Sequence, residues 1–119
     1  ARDGLASLRR KGHYIIACTA RPLETRYGTE FWLATHRMQV DDLYIVNWNE
    51  KAAFVMSLKP NVVIDDAPSH ILPMQELGLF TIIYDQPWNR EVDGLRVADW
   101  KAFEHMVDGL TTTLNRWDY

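Results

Sequence analysis

The stretch Val62-Val63-Ile64-Asp65-Asp66-Ala67-Pro68 decides the fold. Three β-branched apolar residues run without alternation into two adjacent carboxylates, and the chain then turns at a proline. An unbroken apolar run of this kind reads as a strand buried on both faces. Such strands belong to parallel sheets, whose ligand sites lie just beyond the carboxyl ends of the strands. Neighbouring aspartates at that edge repel each other unless a cation or a basic side chain offsets their charge. A hard divalent cation held by oxygen ligands meets that demand. A solvated turn rich in Asp and Pro accounts for the same residues without any ligand.

On the N-terminal side of this strand, Glu50 to Leu58 predicts a short helix with Lys51 on its first turn. Asn49 is its candidate N-cap, and Lys59-Pro60-Asn61 breaks it. Leu43-Tyr44-Ile45-Val46 predicts another strand, followed by the polar loop Asn47-Trp48-Asn49. Before that, Pro22 suits the start of a helix that runs to about Met38, with Leu23, Tyr27, Phe31 and Ala34 on one face. His13 to Cys18 predicts a strand ending in Thr19-Ala20-Arg21-Pro22. Arg2 to Lys11 predicts a helix with Leu5 and Leu8 on one face, and Gly12 stands where a helix stop belongs.

On the C-terminal side, Ser69 to Leu77 predicts a helix closed by Gly78, with Pro73 making its start irregular or delayed. Leu79 to Tyr84 predicts a strand that ends in Asp85-Gln86-Pro87-Trp88-Asn89-Arg90. Leu95-Arg96-Val97 predicts a short extended piece, and Asp99 caps a last helix from about Trp100 to Leu114.

Strands alternating with helices imply one α/β domain over residues 1–119, a parallel sheet with helices on both faces. Right-handed crossovers then bring the strand ends to one rim. That rim collects Thr19, Ala20 and Arg21, then Asn47, Asp65 and Asp66, then Asp85 to Arg90, with Lys51 close by. A hydroxyl followed by a helix N-terminus binds anionic oxygens, and lysine adds a point charge for phosphate. Carboxylates at the same rim add a metal that bridges to phosphate oxygens. Together these groups describe a phosphate-plus-magnesium site. Thr19 taken alone also reads as a strand-end cap.

Composition narrows the function classes. The chain has 119 residues, enough for one core, and its 47% apolar content excludes disorder. A net charge of −3 and a pI near 5.7 argue against general nucleic-acid or membrane-surface binding. The basic cluster Arg9-Arg10-Lys11 suits the end of a helix, where cations complement the dipole. The single Cys18 excludes an intramolecular disulfide and fits a reducing, cytoplasmic compartment. No stretch is long enough to span a membrane. The Ala1 start fits removal of an upstream segment and removal of an initiator Met equally.

Other chemistries find little support. His13, His36, His70 and His105 lack metal-ligand spacing and read as surface or core residues. Cys18 lies in a predicted strand and reads as a packing residue. No glycine-rich nucleotide fingerprint or P-loop is present. Trp32, Trp100 and Trp117 fall on predicted helices and suit packing. Trp48 and Trp88 fall near the rim, where they could flank a base or sugar. Asn89 and Arg90 fit either of two roles, orienting a substrate or pinning the loop.

These residues resemble the haloacid dehalogenase-like superfamily of phosphatases, in particular its 5'(3')-deoxyribonucleotidase-like branch. Thr19, in Ile15-Ile16-Ala17-Cys18-Thr19-Ala20-Arg21-Pro22, looks like the second family motif. Lys51, in Asn49-Glu50-Lys51-Ala52, looks like the third. Asp65-Asp66 looks like the fourth, and the segments Asp85 to Arg90 and Ala98-Asp99-Trp100-Lys101 resemble the tail of the nucleotidase-like branch. The resemblance implies a three-layer Rossmann-like fold and magnesium-dependent phosphomonoester hydrolysis. It implies Thr19 and Lys51 as phosphate-stabilising residues, with Ala20, Arg21, Asn89 and Arg90 toward the substrate. It also implies Asp65 as the direct magnesium ligand, Asp66 as its support, and a small phosphorylated substrate such as a nucleoside monophosphate.

One departure stands out. The family's first motif, a strand ending in Asp-x-Asp that supplies the nucleophile and the general acid, has no counterpart here. Asp3 follows no apolar strand and has no second Asp two residues later. In the family that strand lies between those matched here by His13 and Val62, so the fold lacks its usual first strand and cap. The resemblance implies that this chain is inactive alone. Three completions fit: an upstream segment, a second chain that makes a split enzyme or a homo-oligomer, or a non-catalytic module that keeps the fold for binding.

Overall fold

In the computed structural model, which describes residues 2–20 and 40–116, short parallel strands alternate with helices. The elements are α1 (Arg2–Arg10), β1 (Ile16–Ala20), β2 (Asp42–Val46), α2 (Lys51–Ser57), β3 (Val63–Asp65), α3 (Pro68–Glu76), β4 (Thr81–Tyr84), β5 (Arg96–Val97) and α4 (Trp100–Arg116). Short 3-10 turns at Trp48–Glu50 and Pro87–Asn89 precede α2 and follow β4. The helix expected from Pro22 to Met38, with Arg21, lies outside the described residues.

The central packing element is β4. Its neighbours Ile82 and Ile83 point to opposite faces, and both are 0% exposed. Ile82 joins Leu8 of α1, Val97 of β5, and Phe103 and Val107 of α4 in one cluster. On the other face β4 packs on α3, whose Ile71 and Met74 are fully buried, and α3 packs on α2. Helices therefore cover β4 from both sides. No helix among the described residues is long and apolar enough to cross a membrane.

Several boundaries follow from hydrogen bonds that the apolar pattern does not encode. β1 starts at Ile16 rather than His13, because the Asp41 side chain binds the Ile15 N–H at 2.6 Å before pairing begins. It runs on through Thr19 and Ala20, which pair with Ile45 and Val46. Gly12 ends α1 with φ 91°, and Gly78 follows α3 with φ 82°, conformations that suit glycine. The expected N-cap Asn49 lies inside the 3-10 turn instead, which closes when the Glu50 N–H donates to the Asn47 carbonyl at 2.9 Å. α3 is not delayed: it starts at Pro68, whose fixed φ suits a first helical position, and it continues through Pro73. Asp99 does cap α4, accepting from the Ala102 N–H at 2.7 Å.

All the pairings are parallel, but among the described residues the strands form two sheets. β1 pairs with β2, and β3–β4–β5 form the second. β1 and β3 are not paired with each other. The β3 residues are only half-buried, whereas Thr81 to Ile83 of β4 are buried. Ile15, just before β1, and Val62 and Ile64 pack against the same apolar cluster. The two sheets thus share one core, with a seam between β1 and β3.

Candidate functional site

Asp65 ends β3, as the apolar run ahead of it requires. Its Oδ1 accepts from the N–H groups of Asp66 and Ala67, at 2.8 and 3.0 Å, and so shapes the turn. Its Oδ2 accepts from Lys51 Nζ at 2.8 Å. The two side chains are only 9% and 11% exposed. A lysine is rarely this buried without a partner, and breaking such a pair leaves an uncompensated charge. Lys51 opens α2 after β2, so the pair ties one sheet to the other at the carboxyl-end rim.

His70 completes this cluster. Its Nδ1 lies 3.4 Å from Lys51 Nζ and 3.5 Å from Asp65 Oδ2. Metal-ligand spacing between histidines does not single out His70. The available signal was different: Pro68 at the first helical position puts His70 on the first turn of α3, facing the strand end it follows.

β1 brings its end to the same rim. The Cys18 thiol is pushed up by burial, while Lys51 pulls it down and Asp65 raises it. Cys18 therefore lies within reach of both charges, and Thr19 follows it in the strand. Among the described residues no hydrogen bond engages the half-buried Thr19 hydroxyl. Ala20 is the last residue of β1.

The loop after β4 closes over the Asp65-Asp66 turn. Trp88 Nε1 and Asn89 Nδ2 both donate to the Asp66 carbonyl, at 3.0 and 2.9 Å. Asn89 is 0% exposed. Its second amide hydrogen goes to the Tyr84 carbonyl at 2.8 Å, and its Oδ1 accepts from Gln86 N and Arg96 Nη1 at 3.2 and 3.1 Å. All four hydrogen-bonding positions of the amide are thus spent on the protein. Arg96 also binds Asp85 Oδ1 at 2.6 Å and the Val92 carbonyl at 2.7 Å. Asn89 holds the loop, and Arg90 beside it is exposed. The Trp88 ring is 60% exposed at the rim.

The structure thus brings Asp65, Lys51 and the end of β1 together, with Asp66 and Asn89 adjoining. Among the described residues no hydrogen bond or ion pair engages the Asp66 carboxylate. No group of three or more His, Cys, Asp or Glu side chains there is placed to hold a metal. Magnesium needs fewer: one or two carboxylates suffice when water and phosphate oxygens fill the remaining positions. Asp65 and Asp66 offer oxygen donors of that chemistry, although both Asp65 oxygens already accept from Lys51 and the backbone.

Comparison with known proteins adds one relative. Over 81 residues, 68% of this chain, the sequence is 30% identical to a Chlorobaculum tepidum protein named "Putative 5'(3')-deoxyribonucleotidase". The match covers 37% of that protein's length, so the chain spans well under half of the relative. No protein-family profile matches the chain, and no solved structure matches it.

Proposed function

We propose that this chain carries the phosphate- and magnesium-binding part of a phosphomonoester hydrolase of the haloacid dehalogenase-like kind, acting on nucleoside monophosphates. The buried Lys51–Asp65 pair beside the end of β1 is the observation that supports this most. A cation and a carboxylate held at the carboxyl ends of parallel strands form the core of a phosphoryl-transfer site. The relative's name points the same way and supplies the substrate class.

In this reading the Thr19 hydroxyl and the next backbone N–H, that of Ala20, donate to phosphate oxygens. The Lys51 ammonium adds charge as negative charge builds on the transferring phosphoryl. Asp65 would hold a magnesium ion with Asp66 in support, and the ion would supply charge neutralisation for the phosphate. Arg90 faces the substrate, Asn89 keeps the rim loop in place, and the exposed Trp88 ring flanks the base or sugar. The nucleophile is an aspartate from outside this chain, which attacks phosphorus, expels the alcohol and is regenerated by water.

The seam between β1 and β3 supports that completion. Each strand has an edge without a described partner, and exposed apolar edges seek pairing. A parallel strand entering there would set a carboxylate at its end between Thr19 and Asp65. It could come from an upstream segment or from a second chain, and the chain alone should hydrolyse no phosphomonoester. A second reading, a binding module without turnover, draws on the fact that both Asp65 oxygens are already engaged within the protein.

The test compares Lys51→Met, Lys51→Arg and Lys59→Met for inorganic phosphate binding with magnesium present. Lys51→Met should abolish binding and Lys51→Arg should weaken it, because a guanidinium is not a point charge. Lys59→Met should leave it unchanged, since Lys59 lies beyond the far end of α2. Greater harm from Lys59→Met would refute the site.

A further inference from the structure

We propose that His70 is a positioning residue for Lys51, its Nδ1 accepting a second hydrogen from the Lys51 ammonium. An ammonium has three N–H donors and no acceptor. One goes to Asp65 Oδ2 at 2.8 Å, and His70 Nδ1, at 3.4 Å, lies in reach of another. With two hydrogens held from different directions, the third is aimed rather than free to rotate. Burial makes the second partner matter: Lys51 is 11% exposed on its side chain, so little water is at hand to take that hydrogen.

The direction of the proposed bond follows from the same triangle. A hydrogen on Nδ1 would face the hydrogens of the Lys51 ammonium, donor against donor. With the Nδ1 lone pair turned to Lys51, the ring accepts the second hydrogen and Asp65 Oδ2 keeps the first. His70 itself belongs to the first turn of α3, and that turn is anchored by N–H bonds from His70 and Ile71 to the Ala67 carbonyl at 3.0 and 2.9 Å. The imidazole is therefore fixed relative to the Asp65-Asp66 turn. That the aimed N–H serves a phosphate rests on the function proposed above, but the His70–Lys51 bond does not.

The experiment reads the Lys51 side-chain ammonium signal by proton–nitrogen NMR in the full chain, assigned by its loss in Lys51→Met. Hydrogen exchange of that signal is compared across His70→Asn, His70→Gln and His70→Leu. The Asn side-chain oxygen reaches the place of Nδ1, so His70→Asn should stay within about twofold of the native rate. His70→Leu removes the acceptor and should speed exchange about fivefold, the factor that one ordinary hydrogen bond contributes. Should His70→Leu fail to fold, His70→Gln replaces it, because its amide reaches the Nε2 position and also leaves Lys51 short of a partner. Native-like exchange in the variant lacking the acceptor, or equally fast exchange in His70→Asn, would overturn the proposal. A separate titration with inorganic phosphate reads the function. If phosphate fails to bind while the exchange pattern holds, the site reading falls and the positioning role stands.

Discussion

Asn89→Ala tests the loop that closes the site. The substitution removes four hydrogen bonds, to the Asp66 and Tyr84 carbonyls, the Gln86 N–H and Arg96 Nη1. Two of the partners keep another bond: Trp88 still donates to Asp66, and Asp85 still accepts from Arg96. Those two losses cost about 0.5 to 1 kcal/mol each. The Tyr84 carbonyl and the Gln86 N–H lose the partner that Asn89 supplied, and a buried group left unpaired costs about 1–3 kcal/mol. The sum is about 3–8 kcal/mol, a large share of the roughly 5–15 kcal/mol that stabilises a domain of this kind. Urea unfolding followed by tryptophan fluorescence measures it. Asn89→Asp should do as badly, because it sets an oxygen against two carbonyls. A loss below about 1 kcal/mol in Asn89→Ala would refute the reasoning.

Three further outcomes follow from the same structure. Lys51→Met should destabilise by about 3–5 kcal/mol in the same unfolding assay, and adding Asp65→Asn should restore much of that, since it removes the stranded charge but keeps the oxygen that accepts from the Asp66 and Ala67 N–H groups. The Asp41 carboxyl is held below its ordinary range by the Ile15 N–H, aided by Arg9. A group depressed by folding stabilises above its unfolded pKa and loses that effect as pH falls through its folded value. The melting-temperature gap between native protein and Asp41→Asn should therefore be full at neutral pH and close in acid, and a gap that widens in acid would contradict the assignment. Burial raises the Cys18 thiol, so alkylation at neutral pH should be much slower in the folded protein than in urea, as mass spectrometry would show.

Much of the fold was legible because it rests on local patterns. The apolar runs at Leu43 and Val62, the stops at Gly12 and Gly78, and the Asp99 cap each depend on neighbours in sequence, and each appears where expected. Boundaries slipped where distant groups decide them, as where Asp41 takes the Ile15 N–H and delays β1. The site divides the same way. Asp65 and Lys51 stood out because strand ends and helix starts gather at one rim. His70 did not, since its contact depends on where α3 starts. The loop-holding role of Asn89 depends on Asp66 and Arg96, and no spacing rule links those positions.

The most direct measurement is phosphate release from deoxyribonucleoside monophosphates, with and without magnesium, by the protein as its gene encodes it and by its Asp65→Asn variant. Magnesium-dependent turnover is expected, falling by about a hundredfold or more in Asp65→Asn, the scale of losing one preorganised charge in such a site. Turnover that survives Asp65→Asn unchanged, or none on any phosphomonoester once the missing strand is supplied, would contradict the assignment.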